Sequence, residues 1–237
     1  MKRTVWVLLA VEYMSVFLIL LLTVIVGNQA INVSVENAPV NNRSRVIIDA
    51  GHGGVDGGAT SCTGVLESHI NLEIALRLND LMQLLGIDTV MIRTEDISVY
   101  TEGESIAAKK YSDLKQRVKI VNNEDNAILI SIHQNYFGDS RYSGAQVFYS
   151  NTPDSDRLAR ALQNCFVTMV NRGSHRKAKK ANDIYLMQHI RCPGVLVECG
   201  FLSNPAEEEL LLSKTYQLDI CSVIAGVCSN YLNDRTA

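Results

Sequence analysis

Four residues carry the types and the framing of a metal-assisted hydrolase: His52, Glu67, His133 and Glu198. His52 lies in RVIIDAGHGG (45–54), where an apolar run breaks into a glycine-rich turn. Glu67 opens a helical pattern, His133 closes the apolar run AILISIH (127–133), and Glu198 closes GVLVE (194–198). Two imidazoles and a carboxylate suit zinc (Zn2+) and leave a coordination position open, while a second carboxylate can take a proton from water. Each residue also has a bland reading. A lone histidine after glycines can be incidental, a first-turn glutamate is favoured by the helix dipole, and His133 can be a satisfied histidine at the edge of a core. Glu198 is the sharpest, because a carboxylate after four apolar strand residues needs a partner, a metal or a shifted pKa.

Neighbouring residues supply further candidates. Asp49 can accept from the second nitrogen of His52 or brace its turn, and Asn135 leaves the same buried strand as His133. Arg172 and RKAKK (176–180) form a basic loop, which reads as a solvated face or as a rim that holds anionic substrate. Cys199 beside Glu198 allows a thiol-hydrolase reading, but that leaves the histidines and acids without a role. His69 and Glu73 fall on other helical faces than Glu67.

The elements that must position these residues alternate along the chain. Strands are expected at 46–49, 88–93, 127–132, 144–150, 183–187 and 194–198. Helices are expected at 67–85, 111–122, 154–170 and about 216–231, with polar loop over 94–108. Asn204, Pro205 and Glu207 read as a cap, first position and capping box of a further helix. The alternation predicts a single α/β domain, a mixed and mostly parallel twisted sheet with helices on both faces. His52, His133 and Glu198 then lie at the carboxyl ends of strands, where ligands gather in such folds.

The net charge of −3 over 237 residues gives no basic excess for nucleic acid. Lys2 and Arg3 precede the apolar run 5–27, which is long enough for a membrane-spanning helix and longer than most signal-peptide cores. Residues 1–27 therefore read as an N-terminal transmembrane anchor or signal sequence with its first residues cytoplasmic. Residues 28–44, Asn-rich with Pro39, read as a linker, and 45–234 as the catalytic domain, exported and in contact with the membrane only through the N-terminal segment. The six cysteines show no C-x-x-C spacing and read as buried free thiols rather than a disulfide framework.

The blocks RVIIDAGHGGVDGGA, the helix-opening Glu67, SIHQN (131–135) and PGVLVECGFLSNPAEEELL (193–211) occur in one order that resembles the zinc-dependent N-acetylmuramoyl-L-alanine amidases of bacterial cell walls. The likeness spans about Arg45 to Leu232, and its arrangement is most similar to the germination-specific cortex amidases of spore formers. The resemblance implies that His52, Glu67 and His133 hold zinc and that Glu198 is the catalytic carboxylate. It implies hydrolysis of the amide between muramic acid and L-alanine in peptidoglycan, in the cortex as a step toward muramic-δ-lactam, and it leaves room for a regulatory protein partner. Gln134 stands where many relatives carry a smaller residue, which bears on substrate contacts. A zinc carboxypeptidase-like peptidase and a non-catalytic wall-binding module are the competing readings.

Overall fold

The computed structural model describes residues 44–236. The N-terminal segment 1–27 and all but the last residue of the linker 28–44 lie outside them. Six strands form one sheet: β1 (Arg45–Ala50), β2 (Thr89–Met91), β3 (Ala127–Asn135), β4 (Gln146–Tyr149), β5 (Lys179–Lys180) and β6 (Gly194–Phe201). Their order is β2-β1-β3-β6-β4-β5. All neighbouring pairs are parallel except β4 with β6, which is antiparallel. The helices are α1 (Glu67–Leu84), α2 (Ile106–Asn122), α3 (Ser155–Cys165) with a π turn at Phe166–Val170, α4 (Tyr185–His189), α5 (Pro205–Leu212) and α6 (Lys214–Thr236).

Helices cover both faces, as the strand composition requires, because β1, β3 and β6 are apolar on both sides. Val46, Ile48, Ile130, Ile132, Val195 and Val197 bury against α1, α3 and α6. Ile47, Leu129 and Leu196 bury against α2 and α4. Of the apolar helical spacing Ile70, Ile74, Leu78, Leu81 and Leu85, the first three are fully inside, Leu81 is half-buried and Leu85, past the end of α1, is exposed. Among the described residues no single helix is long and apolar enough to cross a membrane.

Three local expectations are corrected. Residues 183–187 do not form a strand; Tyr185–His189 is a helix, and the edge strand is Lys179–Lys180. Leu186, Met187 and Ile190 are the buried residues of that stretch, and their one-then-three spacing is helical. Helix α2 begins five residues early, at Ile106, because Ser105 Oγ accepts from Ala108 N–H and caps it. The Glu207 side chain does not complete a capping box. Asn204 caps α5 by accepting from the N–H groups of Ala206 and Glu207, while the Glu207 carboxylate reaches away to accept from Gly144 and Phe201 N–H.

The end of β1 is held by two buried arginines. Arg117, on the inward face of α2, donates to Ala50 O at 2.9 Å, to His52 O at 2.6 Å and to Asp113 at 2.6 Å, and it also pairs with Asp49. Arg93 donates to Ala50 O, Gly51 O, Ser68 O and Glu95 O at 2.8–3.0 Å. Burial alone would raise the Asp49 pKa, but the Arg117 guanidinium outweighs it and holds the carboxyl below its ordinary 3.8. A depressed folded pKa adds stability that is complete above the ordinary value and is lost as the pH falls. Asp49→Asn should therefore destabilise the domain by about 3 kcal/mol, the lower end for a broken buried pair because Asp113 still faces Arg117. Denaturant unfolding with chelator present should also show a shallower loss of stability below about pH 4 in the variant than in wild type. Equal stability with an unaltered acid limb would refute the assignment.

Candidate active site and metal centre

The carboxyl ends of β1 and β3 and the start of α1 meet at one edge of the sheet. His52 has φ 59, a left-handed backbone uncommon for a residue with a Cβ, and it occupies that turn because Arg117 grips its carbonyl. Gly51 is required for a different reason. A Cβ there would stand 2.2 Å from His133 Nε2, so only glycine lets the imidazole lie across the end of β1. Glu67 is the first residue of α1. The helix start has no side-chain cap; Ala59 O and Gly57 O accept from the N–H groups of Glu67 and Ser68 instead.

These constraints bring His52, Glu67 and His133 together, with one donor atom from each lying within 4.8 Å of the others, a group able to hold a metal ion. His52 Nε2 is 3.3 Å from Glu67 Oε2, and His133 Nδ1 is 3.0 Å from Glu67 Oε1. Two imidazoles and a carboxylate are donor types that suit tetrahedral zinc. Glu67 is buried and further held by the N–H groups of Ala59 and Gln134 and by Asn71 Nδ2. Burial alone would raise its pKa, but the two imidazoles pull it well below the carboxylate range. His52 Nδ1 meets Asp56 Oδ2 at 2.9 Å, and Asp56 Oδ1 accepts from Lys110 Nζ at 3.2 Å. Burial would lower the His52 pKa, yet the hydrogen bonds to Asp56 and Glu67 raise it to about 9.

Glu198 stands opposite His133 in the β3–β6 register. Its Oε2 is sealed from solvent with no hydrogen-bond partner among the described residues, and burial pushes its pKa up to about 7. A carboxyl poised near neutrality is suited to taking and returning a proton.

The neighbours fall differently from their sequence reading. Asp49 does not meet the ring of His52; it accepts from Arg117 and from Ser131 Oγ, and so braces the turn through Arg117. The histidine's own carboxylate partner is Asp56, signalled by its four-residue spacing in GHGGVD. Asn135 lies two residues beyond His133, and its carbonyl accepts from Leu202 N–H, tying β3 to the end of β6. Gln134 is turned inward, buried and bonded to Asn71 Oδ1, so it supports Glu67 from behind rather than meeting substrate. Arg172 lies outside the cluster, in the wall of a separate cavity. His69 pairs with Asp96 at the surface, and Glu73 accepts from Gln217. Cys199 is buried and its thiol pKa is pushed well up, which removes it as a nucleophile; all six cysteines are free. Arg93 and Arg117 were missed, although Arg117 shares the helical face of Leu114 and Val121 and so had to be buried.

Comparison with known proteins finds relatives of this chain. Residues 46–228 match the N-acetylmuramoyl-L-alanine amidase family. The chain is 37% identical over 192 residues to the germination-specific N-acetylmuramoyl-L-alanine amidase of Bacillus subtilis, covering 80% of each. Among solved structures, it is similar to the CwlD amidase of Clostridioides difficile in complex with the GerS lipoprotein, with TM-score 0.77 and 38% identity over 81% of this chain and 99% of that one. It also resembles an N-acetylmuramoyl-L-alanine amidase from Clostridium difficile 630, with TM-score 0.71 and 30% identity over 81% and 98%. The chain belongs to the N-acetylmuramoyl-L-alanine amidase family and is an amide hydrolase of the bacterial cell wall.

Proposed function

We propose that this protein is a zinc-dependent amidase of spore-cortex peptidoglycan, cleaving the amide between N-acetylmuramic acid and L-alanine on the way to muramic-δ-lactam. The observation that carries the zinc dependence is the convergence of His52, Glu67 and His133 beside the unpartnered oxygen of Glu198. Two imidazoles and one carboxylate, with a position left open, are the donor set of catalytic zinc. The cortex role is supported by the likeness to a germination-specific relative.

In this reading His52, Glu67 and His133 hold the metal, Asp56 fixes the His52 ring, and Asn71 with Gln134 fixes Glu67. When bound, zinc supplies Lewis acidity that polarises the amide carbonyl and acidifies water. Glu198 takes the proton of the attacking water on its free oxygen and returns it to the departing nitrogen of L-alanine. The apolar setting that raises its pKa makes that return favourable at neutral pH.

The remaining assignments follow the same reading. Residues 1–27 act as anchor or signal sequence, 28–44 as linker, and the catalytic domain of 45–234 works on the outer side of the membrane. A regulatory protein partner is part of the proposal, since the similar CwlD amidase was solved with a lipoprotein bound.

Glu198→Gln should retain zinc, measured by metal analysis, and lose at least about 100-fold in kcat on purified peptidoglycan, the usual share of a general base. Full activity in that variant would remove Glu198 from the mechanism. His133→Ala, and also Gly51→Ala through its collision with the His133 ring, should lose bound zinc. Unaltered metal content in either would count against the ligand set. Mass spectrometry of digested muropeptides should show released peptides that begin with alanine; peptides cut elsewhere would sink the amidase assignment.

A further inference from the structure

One strand away from Glu198 the protein builds a second, strongly basic cavity of about 770 Å³. The antiparallel register sets Gln146, the first residue of β4, directly opposite Glu198 of β6. Opposed residues of neighbouring strands have Cα atoms about 4.5–5.5 Å apart, so the cavity that Gln146 lines starts beside the catalytic edge. Its wall carries Arg172, His175, Arg176, Lys177 and Lys179, and its one carboxylate is Glu207. That carboxylate is turned toward the backbone, where Oε2 accepts from Gly144 N–H at 2.8 Å and from Phe201 N–H at 3.0 Å, and the cations of the wall outnumber it. Arg172, Lys177 and Lys179 are exposed and take part in none of the ion pairs among the described residues.

The basic loop is fastened rather than loose. Arg176 Nε donates to Ser143 O at 2.9 Å, and its guanidinium stacks 4.8 Å from the ring centre of Phe201, three residues beyond Glu198 on β6. Gln146 Nε2 donates to Lys177 O at 2.8 Å. At the near end of the loop, Asn171 accepts from Ala145 N–H and donates to the Tyr216 hydroxyl. A cluster of excess positive charge on a fastened loop, one strand from Glu198, is suited to select a charged part of the substrate.

We propose that this cavity is the subsite for the acidic stem peptide, binding its carboxylates while the scissile amide lies at Glu198. The proposal rests on the amidase reading above. In the muramic acid–alanine amide the lactyl carboxyl is consumed by the bond itself, so the sugar side carries no charge at that point. The negative charge of the substrate lies on the peptide, whose acidic residue and terminus keep free carboxylates. A cavity of this volume lies within the range of ligand clefts, roughly 300–1,000 Å³, and suits a short peptide.

The test uses the full chain loaded with zinc and a fluorescent alanyl-glutamyl tripeptide, once with free carboxylates and once fully amidated. Anisotropy should show the acidic peptide binding wild type at least about tenfold tighter than the amidated one, with the difference shrinking as salt rises. The variant Arg172→Gln/Lys177→Gln/Lys179→Gln should lose that preference, and Arg172→Lys/Lys177→Arg/Lys179→Arg should keep it. On muropeptides, the glutamine variant should lose about tenfold in kcat/KM for the acidic substrate relative to the amidated one. Equal binding of the two peptides by wild type, or an unaltered preference in the glutamine variant, would overturn the subsite. A wild-type enzyme that binds the acidic peptide but releases no alanine-ended peptide from muropeptides would instead refute the reaction and leave the subsite standing.

Discussion

The site depends on how the backbone leaves β1. At that strand end the carbonyls of Ala50, Gly51 and His52 have to be satisfied while the chain enters a left-handed turn at His52. A non-glycine residue in that conformation costs on the order of 1–3 kcal/mol, and buried carbonyls without partners cost more. Arg93 and Arg117 remove the second cost with charge-assisted hydrogen bonds, and Asp49 neutralises Arg117. The turn is thereby rigid, and a rigid turn is what aims an imidazole.

The chemistry residues are divided among elements that could not drift together. His52 follows β1, Glu67 begins α1, His133 lies near the end of β3 and Glu198 lies in β6. Glu67 faces both imidazoles at 3.0 and 3.3 Å, and it is itself fixed by backbone N–H groups from two separate segments. Glu198 differs from it in having no hydrogen-bond partner for Oε2, and its pKa moves in the opposite direction. Two carboxylates near one edge thus take opposite characters from their surroundings: the imidazoles favour the anion of one, and burial favours the protonated form of the other.

Much of this was legible in the sequence, and the reasons are particular. Long apolar runs such as AILISI and GVLV announce strands covered on both faces, and the Ile70–Ile74–Leu78 spacing announces α1. A titratable residue closing such a run stands out, which made His133 and Glu198 visible, although β3 continues to Asn135 and β6 to Phe201 beyond them. What stayed hidden depends on contacts between distant segments. Arg93 and Arg117 read as ordinary charges until the carbonyls that they bind are known. Glu207 reads as a capping glutamate until Gly144 is seen 63 residues away. The segment 183–187 is ambiguous because five residues of mixed character fit either period, and the joint burial of Leu186, Met187 and Ile190 decides for a helix.

The reversal of β4, which β5 follows in parallel, has a consequence for how this scaffold can change. Strand β4 is separated from β3 by β6 and runs against it, so residues 136–145 leave β3 and enter β4 at the same edge. To do so they cross the end of β6, just beyond Glu198. Insertions there would roof the reaction centre without breaking any hydrogen bond of the sheet. Access to the chemistry can therefore be retuned through the length of one connection, independently of folding.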